Sequence, residues 1–132
     1  MKDNKLQIVN FEQAQRLKAA GFGWTHKESG CKWYYVEPNG NVMTMDLPFT
    51  DKSIAAPAVA LALKWMRDVH NLFGDARIGN EPRGLFFFDV WNKNGEFLRG
   101  GNLDYNTYET AESALLDELL NVLDKLDKIS KA

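Results

Sequence analysis

Apolar residues recur at one-face helical spacing at Phe11, Ala14 and Leu17, behind Asn10 and with Gln13 three residues further on. This predicts a helix over 11–20 opened by a capping box, in which the Asn10 side chain and the Gln13 side chain each satisfy the other's backbone N–H. Gly21 supplies a left-handed stop, and Phe22 stands where a Schellman motif folds the chain back toward Leu17. Leu6, Ile8 and Val9 predict a short edge strand ahead of the helix.

The pattern then changes to alternation. Lys32-Trp33-Tyr34-Tyr35-Val36 and Val42-Met43-Thr44-Met45-Asp46 flank Glu37-Pro38-Asn39-Gly40-Asn41, which predicts a hairpin. A two-residue Asn39-Gly40 turn would pair Tyr35 with Thr44 and Trp33 with Asp46, mixing apolar with polar partners. A three-residue loop, with Pro38 and Asn39 in a type I turn and Gly40 left-handed, pairs Tyr35 with Met43 and Trp33 with Met45. That register collects Cys31, Trp33, Tyr35, Met43, Met45 and Leu47 on one apolar face and is preferred. The opposite face, Lys32, Tyr34, Val36, Val42, Thr44 and Asp46, is mixed and reads as solvent-facing or as a binding surface.

A second helix is predicted over 57–71, with Val59, Ala62, Leu63, Met66 and Val69 in one stripe and Lys64, Arg67, Asp68 and Asn71 opposite. Residues 75–78 read as a short strand. Leu85 to Trp91 is a strand by its aromatic and β-branched content, turned by Asn92-Lys93-Asn94-Gly95 onto Glu96 to Arg99, with Gly100-Gly101 expected to loosen or bulge it. A long terminal helix follows, capped by Thr107 or Asn106, with Ala111, Ala114, Leu115, Leu119, Val122, Leu123, Leu126 and Ile129 on a face that Leu116 and Leu120 widen. Such a face fits packing across a sheet, with an overhang left for self-association. The expected fold is therefore α+β: one domain over 1–132, with a single antiparallel sheet of four to five strands from two hairpins and three helices mostly on one face.

Composition adds exclusions. With 132 residues, 45% hydrophobic and 26% charged, the chain suits one ordinary globular domain. Its longest apolar run, Ile54 to Leu63, is far short of a membrane span, and no signal-like block follows Met1, so a cytoplasmic chain is expected. Cys31 is the single cysteine, which rules out an internal disulfide and a multi-thiolate zinc site and reads as a small hydrophobe on a strand. Net charge is −2 but uneven: residues 1–36 carry six lysines or arginines against three acids, whereas 104–127 carry seven acids against Lys125 alone. There is no continuous basic stripe with interleaved aromatics, so a nucleic-acid partner is not expected.

Candidate chemistry is sparse. His26 falls in a polar loop, His70 near the end of the second helix, and Asp89 inside the aromatic strand, where alternation turns it outward. Metal-binding spacings such as His-Glu-x-x-His are absent, Gly21-Phe22-Gly23 follows a helix rather than a strand, and there is no nucleophile elbow. No cofactor or metal is therefore expected. What stands out is the aromatic content outside a small core's needs, Trp24, Trp33, Tyr34, Tyr35, Trp91, Tyr105 and Tyr108, of kinds enriched at binding hot spots.

Three phrases carry a resemblance: Leu17-Lys18-Ala19-Ala20-Gly21-Phe22, Ala56 to Asp68 with its Ala56-Pro57 opening and Lys64-Trp65-Met66-Arg67 core, and Tyr105-Asn106-Thr107-Tyr108-Glu109-Thr110-Ala111-Glu112. In this order they resemble small proteins of phages and prophages of gut bacteria, a family with no assigned activity. Ala58 replaces a frequent threonine and Thr110 a frequent glutamate. The resemblance implies organisation and context only. The functional expectation is a non-enzymatic module that binds another protein or itself, through a surface including Tyr34, Glu112, Asp117 and Glu118. The rival expectation is a small-molecule binder or enzyme with an aromatic cleft using Asp89, His26 or His70.

Overall fold

The computed structural model describes residues 7–22, 32–46, 53–79, 85–100 and 105–131. The chain divides into two compact units, Met1–Ala62 and Leu63–Ala132.

In the first unit, α1 (Phe11–Ala19) is built by its caps as the sequence predicts. The Gln13 N–H donates to Asn10 Oδ1 at 2.8 Å and the Asn10 N–H to Gln13 Oε1 at 2.9 Å, completing the capping box. At the other end the Phe22 N–H donates to the Leu17 carbonyl at 2.9 Å and the Gly21 N–H to that of Lys18 at 3.1 Å, the two bonds of a Schellman motif around Gly21 at φ 100°. The helix ends one residue earlier than expected because Ala20 serves as its C-cap.

Strands β1 (Lys32–Val36) and β2 (Val42–Met45) pair in the register of the three-residue loop, Trp33 with Met45 and Tyr35 with Met43. Gly40 takes the left-handed position at φ 94°, and the Glu37 N–H donates to the Asn41 carbonyl at 2.7 Å. A third strand, β3 (Ile54–Ala56), pairs antiparallel with the other edge of β1, Trp33 facing Ala55 and Tyr34 facing Ile54, giving the order β2-β1-β3. Of the edge strand expected at Leu6, Ile8 and Val9, Leu6 lies outside the described residues, and the described part forms one bridge, Ile8 to Ala58, flanked by bonds from the Val9 N–H to the Pro57 carbonyl and from the Val59 N–H to that of Gln7. Val9, Leu17, Ala56 and Val59 are fully buried.

Helix α2 (Val59–His70) starts two residues after the expected Pro57, whose carbonyl is engaged in that bridge. It ends at Asn71, one of the few residue types other than glycine that tolerates a left-handed φ, here 57°. The stripe holds at Val59, Ala62 and Met66, all fully buried, but Val69 in the last turn is 54% exposed.

In the second unit β4 (Leu72–Ile78), β5 (Phe86–Asn92) and β6 (Phe97–Gly100) form an antiparallel sheet in that order. The Asn92 side chain closes the turn by accepting from the N–H groups of Asn94 and Glu96 at 2.9 and 3.0 Å. Trp91 pairs with Phe97 but Val90 with Arg99, so a bulge falls at Leu98; Gly100 pairs with Asp89, and Gly101 lies outside the described residues. Helix α3 (Tyr108–Lys131) is capped by Thr107, whose Oγ1 accepts the Thr110 N–H at 3.1 Å, and the Thr110 hydroxyl meets that of Thr107 at 2.7 Å. Its broad face, Ala111, Leu115, Leu116, Leu119, Leu120 and Leu123, is buried, and the helix packs across β4 and β5.

Among the described residues the fold is α+β with three helices, as expected, but it contains two three-stranded sheets and not one sheet of four to five strands. The reason is that each hairpin acquires a third strand of its own. β3 joins the first, and β4, longer than the expected 75–78, joins the second.

Candidate functional site

The first hairpin presents its odd-numbered side chains on one face. Tyr35, Glu37 and Pro38 from β1 and its loop, with Met43 and Met45 from β2, line an open groove of about 290 Å³ that is largely apolar. Met43 is 42% exposed, and Tyr35 and Met45 are half-buried. The expected apolar face is thus real, with a portion of it left open; Cys31 and Leu47, assigned to the same face, lie outside the described residues. Glu37 is the groove's charged residue, and among the described residues no hydrogen bond or ion pair engages its carboxylate. The Lys32–Asp46 cross-strand ion pair lies at the end of the hairpin away from the loop, on the other face.

β2 is also a sheet edge among the described residues. Antiparallel pairs alternate between bonded and non-bonded. Because Glu37 and Asn41 form a bonded pair, Tyr35 with Met43 and Trp33 with Met45 are bonded, while Val42 and Thr44 turn their N–H and C=O groups away from β1. Val42, at 44% exposed, and Thr44 therefore carry the outward backbone groups beside the groove. Nothing in Val42-Met43-Thr44-Met45 blunts that edge with a charge, a proline or a bulge.

The residues singled out from sequence occupy different places. Tyr34 is half-buried: its ring meets Phe11 edge-on at 5.5 Å and its hydroxyl donates to the Val9 carbonyl at 2.7 Å. Burial raises the pKa of that hydroxyl above the ordinary tyrosine value. Tyr34 is thus a packing residue within a face expected to be solvent-facing or a binding surface, on which Val36, Val42 and Thr44 are exposed. Glu112, Asp117 and Glu118 are half-buried, so the acidic side of α3 is less open than a solvated stripe would be. Glu112 accepts from the Tyr108 hydroxyl at 3.2 Å. Burial and then the Glu109 charge raise the Glu112 pKa, against the opposing Tyr108 bond.

Asp89 lies directly across from Asp75, and Arg77 relieves their repulsion: its Nη2 is 2.5 Å from Asp89 and its Nε 3.8 Å from Asp75, with the guanidinium 5.0 Å over the Phe87 ring. His70 instead meets Trp65 edge-on at 4.7 Å. Asp75 lies three residues beyond Leu72, the start of β4, which is roughly 10 Å of strand and sets Asp89 away from the end where His70 sits. His26 lies outside the described residues. Among the described residues no three His, Cys, Asp or Glu side chains cluster tightly enough to hold a metal ion. No described helix is long and apolar enough to cross a membrane.

A second, partly open pocket, lined by Ala14, Lys18, Phe22, Trp33, Ser53 and Ala55, has a volume of about 120 Å³, room for a few waters at most. The groove residues Glu37, Pro38, Met43 and Met45 were not singled out from sequence. The signal was present in the register, which places both methionines and Tyr35 on one face, but nothing local says whether that face is covered. Compared with family models, curated proteins and solved structures, the chain matches none.

Proposed function

We propose that this chain is a non-enzymatic protein-interaction module that receives another polypeptide on the open face of its first hairpin, in the phage or prophage context implied by its helix-opening phrases. The observation that carries the reading is the groove of Tyr35, Pro38, Met43 and Met45 beside an unblunted sheet edge. Flexible, polarizable methionine side chains adapt to varied apolar partners, and tyrosine supplies a rigid contact surface. The rival small-molecule or catalytic reading gains no support from Asp89, which is neutralised by Arg77, or from His70, which packs on Trp65.

The test is selection from a display library of random peptides on the full chain, in parallel with Met43→Lys. Lysine is well tolerated on an exposed edge strand, so that variant keeps its fold. Enrichment on the wild type that is lost on Met43→Lys is expected. No enrichment, or equal enrichment on both, overturns the proposal.

A further inference from the structure

Resting on that reading, we infer that the groove's occupant is an extended segment of another protein that adds antiparallel to β2, with the pattern apolar-x-apolar-x-basic. The register of the hairpin dictates each part of this pattern. The outward N–H and C=O groups of Val42 and Thr44 are the bonding positions of the edge, so the segment's residues opposite them form the bonded pairs. The residue opposite Met43 then falls in a non-bonded pair, with its side chain on the groove face and its Cβ about 4.5–5.5 Å from that of Met43. The residue opposite Met45 lies two positions earlier in an antiparallel segment and points to the same face. Both meet Tyr35, Met43 and Met45, and so are apolar.

Two positions after the residue opposite Met43 comes the one opposite Asn41. Its side chain is on the same face, one strand beyond Asn41 from Glu37, because Glu37 is Asn41's partner on β1. Two strand spacings, roughly 10 Å, separate that residue from Glu37, which a lysine or arginine stem spans. The Glu37 carboxylate, without a partner among the described residues, selects the cation. Charge also argues against a second copy as occupant. Two β2 strands paired about Met43 would set Met45 of one copy opposite Asn41 of the other, so each Glu37 would face no cation.

Peptides recovered from the display library give the test, read by amide exchange on the full chain and by binding titrations. The expected consensus is apolar-x-apolar-x-Lys/Arg. Bound peptide should slow exchange at Val42 and Thr44, and N-methylation of the peptide amide that bonds either residue should weaken binding about tenfold. Glu37→Gln should cost basic peptides about threefold, and Glu37→Lys should invert the preference toward acidic ones. Loss of binding in Met43→Lys with unslowed exchange at Val42 and Thr44 would leave the module standing and overturn strand addition. A consensus at helical spacing would do the same, as would a basic preference indifferent to Glu37. Protection of Val42 and Thr44 in the peptide-free chain that grows with protein concentration would assign the edge to a second copy and overturn the inference. A library that yields no binder overturns both proposals.

Discussion

Replacing Gly74 by alanine tests how closely α3 approaches its sheet. Gly74 lies on β4 opposite Val90, on the helix-facing side with Leu72 and Ala76, both buried. A Cβ placed there would fall inside van der Waals contact with Leu115 Cδ1 and 3.1 Å from its Cγ and Cδ2. Leu115 is 1% exposed, and Leu116 and Leu119 of the same helix are also fully buried, so its methyl groups have little room to yield. The overpacking penalty is about 1–3 kcal/mol. The backbone of Gly74 has no positive φ, so alanine also recovers about 0.5–1 kcal/mol through lower unfolded-state entropy. The net expectation is a loss of about 1 kcal/mol, rising to about 2 kcal/mol if α3 cannot shift. Urea denaturation of wild type, Gly74→Ala, Leu115→Ala and the double variant closes a cycle. Leu115→Ala alone should cost about 2–5 kcal/mol, and with the clash removed the Gly74→Ala change should become neutral or mildly stabilising. The coupling between the two sites should therefore be about 1–3 kcal/mol. A neutral or stabilising Gly74→Ala in the wild-type background, or an equal penalty with and without Leu115, refutes the close approach.

Asn10→Ala removes the acceptor for the Gln13 N–H and should lower thermal stability by about 1 kcal/mol, whereas Asn10→Ser should recover most of it; equal loss in both would argue against capping. Tyr34→Phe deletes only the hydroxyl that donates to Val9 and should cost about 0.5–1.5 kcal/mol by denaturant titration, with a larger loss in Tyr34→Ala, where the Phe11 contact goes as well. Glu112 has a folded-state pKa raised above its ordinary value, so the native chain holds the extra proton between the two values and stability falls as pH rises through that window. Denaturation from about pH 4 to about pH 7 should accordingly show Glu112→Gln gaining on the wild type, and a difference that is flat or declining with pH would contradict the burial of that carboxylate.

Much of the candidate site was legible in the residues without being recognisable as a site. Loop length and the left-handed preference of Gly40 placed Tyr35, Met43 and Met45 on one face, and the observed pairing agrees. Whether that apolar face is covered or open is not legible, since alternation reports which side chains travel together but not what stands opposite them. Alternation puts Tyr34 on the mixed face with Lys32, Thr44 and Asp46, which reads as solvent-facing or as a binding surface; its contacts with Val9 and Phe11 come from residues 25 and 23 positions away.

The sequence by itself determined what is settled within a few residues: the Asn10–Gln13 box, the Gly21 stop, the three-residue hairpin loop, the Thr107 cap and the broad leucine face of α3. Each depends on hydrogen bonds or side-chain spacing inside one element, where local geometry leaves few alternatives. Tertiary structure alone decided that there are two sheets in the described residues and which edge of the first remains open. Ile54-Ala55-Ala56 has little strand preference of its own and is extended because β1 offers it unpaired backbone groups. With β3 on one side of β1 and β2 on the other, Val42 and Thr44 are left facing outward beside the groove, an outcome set by pairing between residues far apart in the chain.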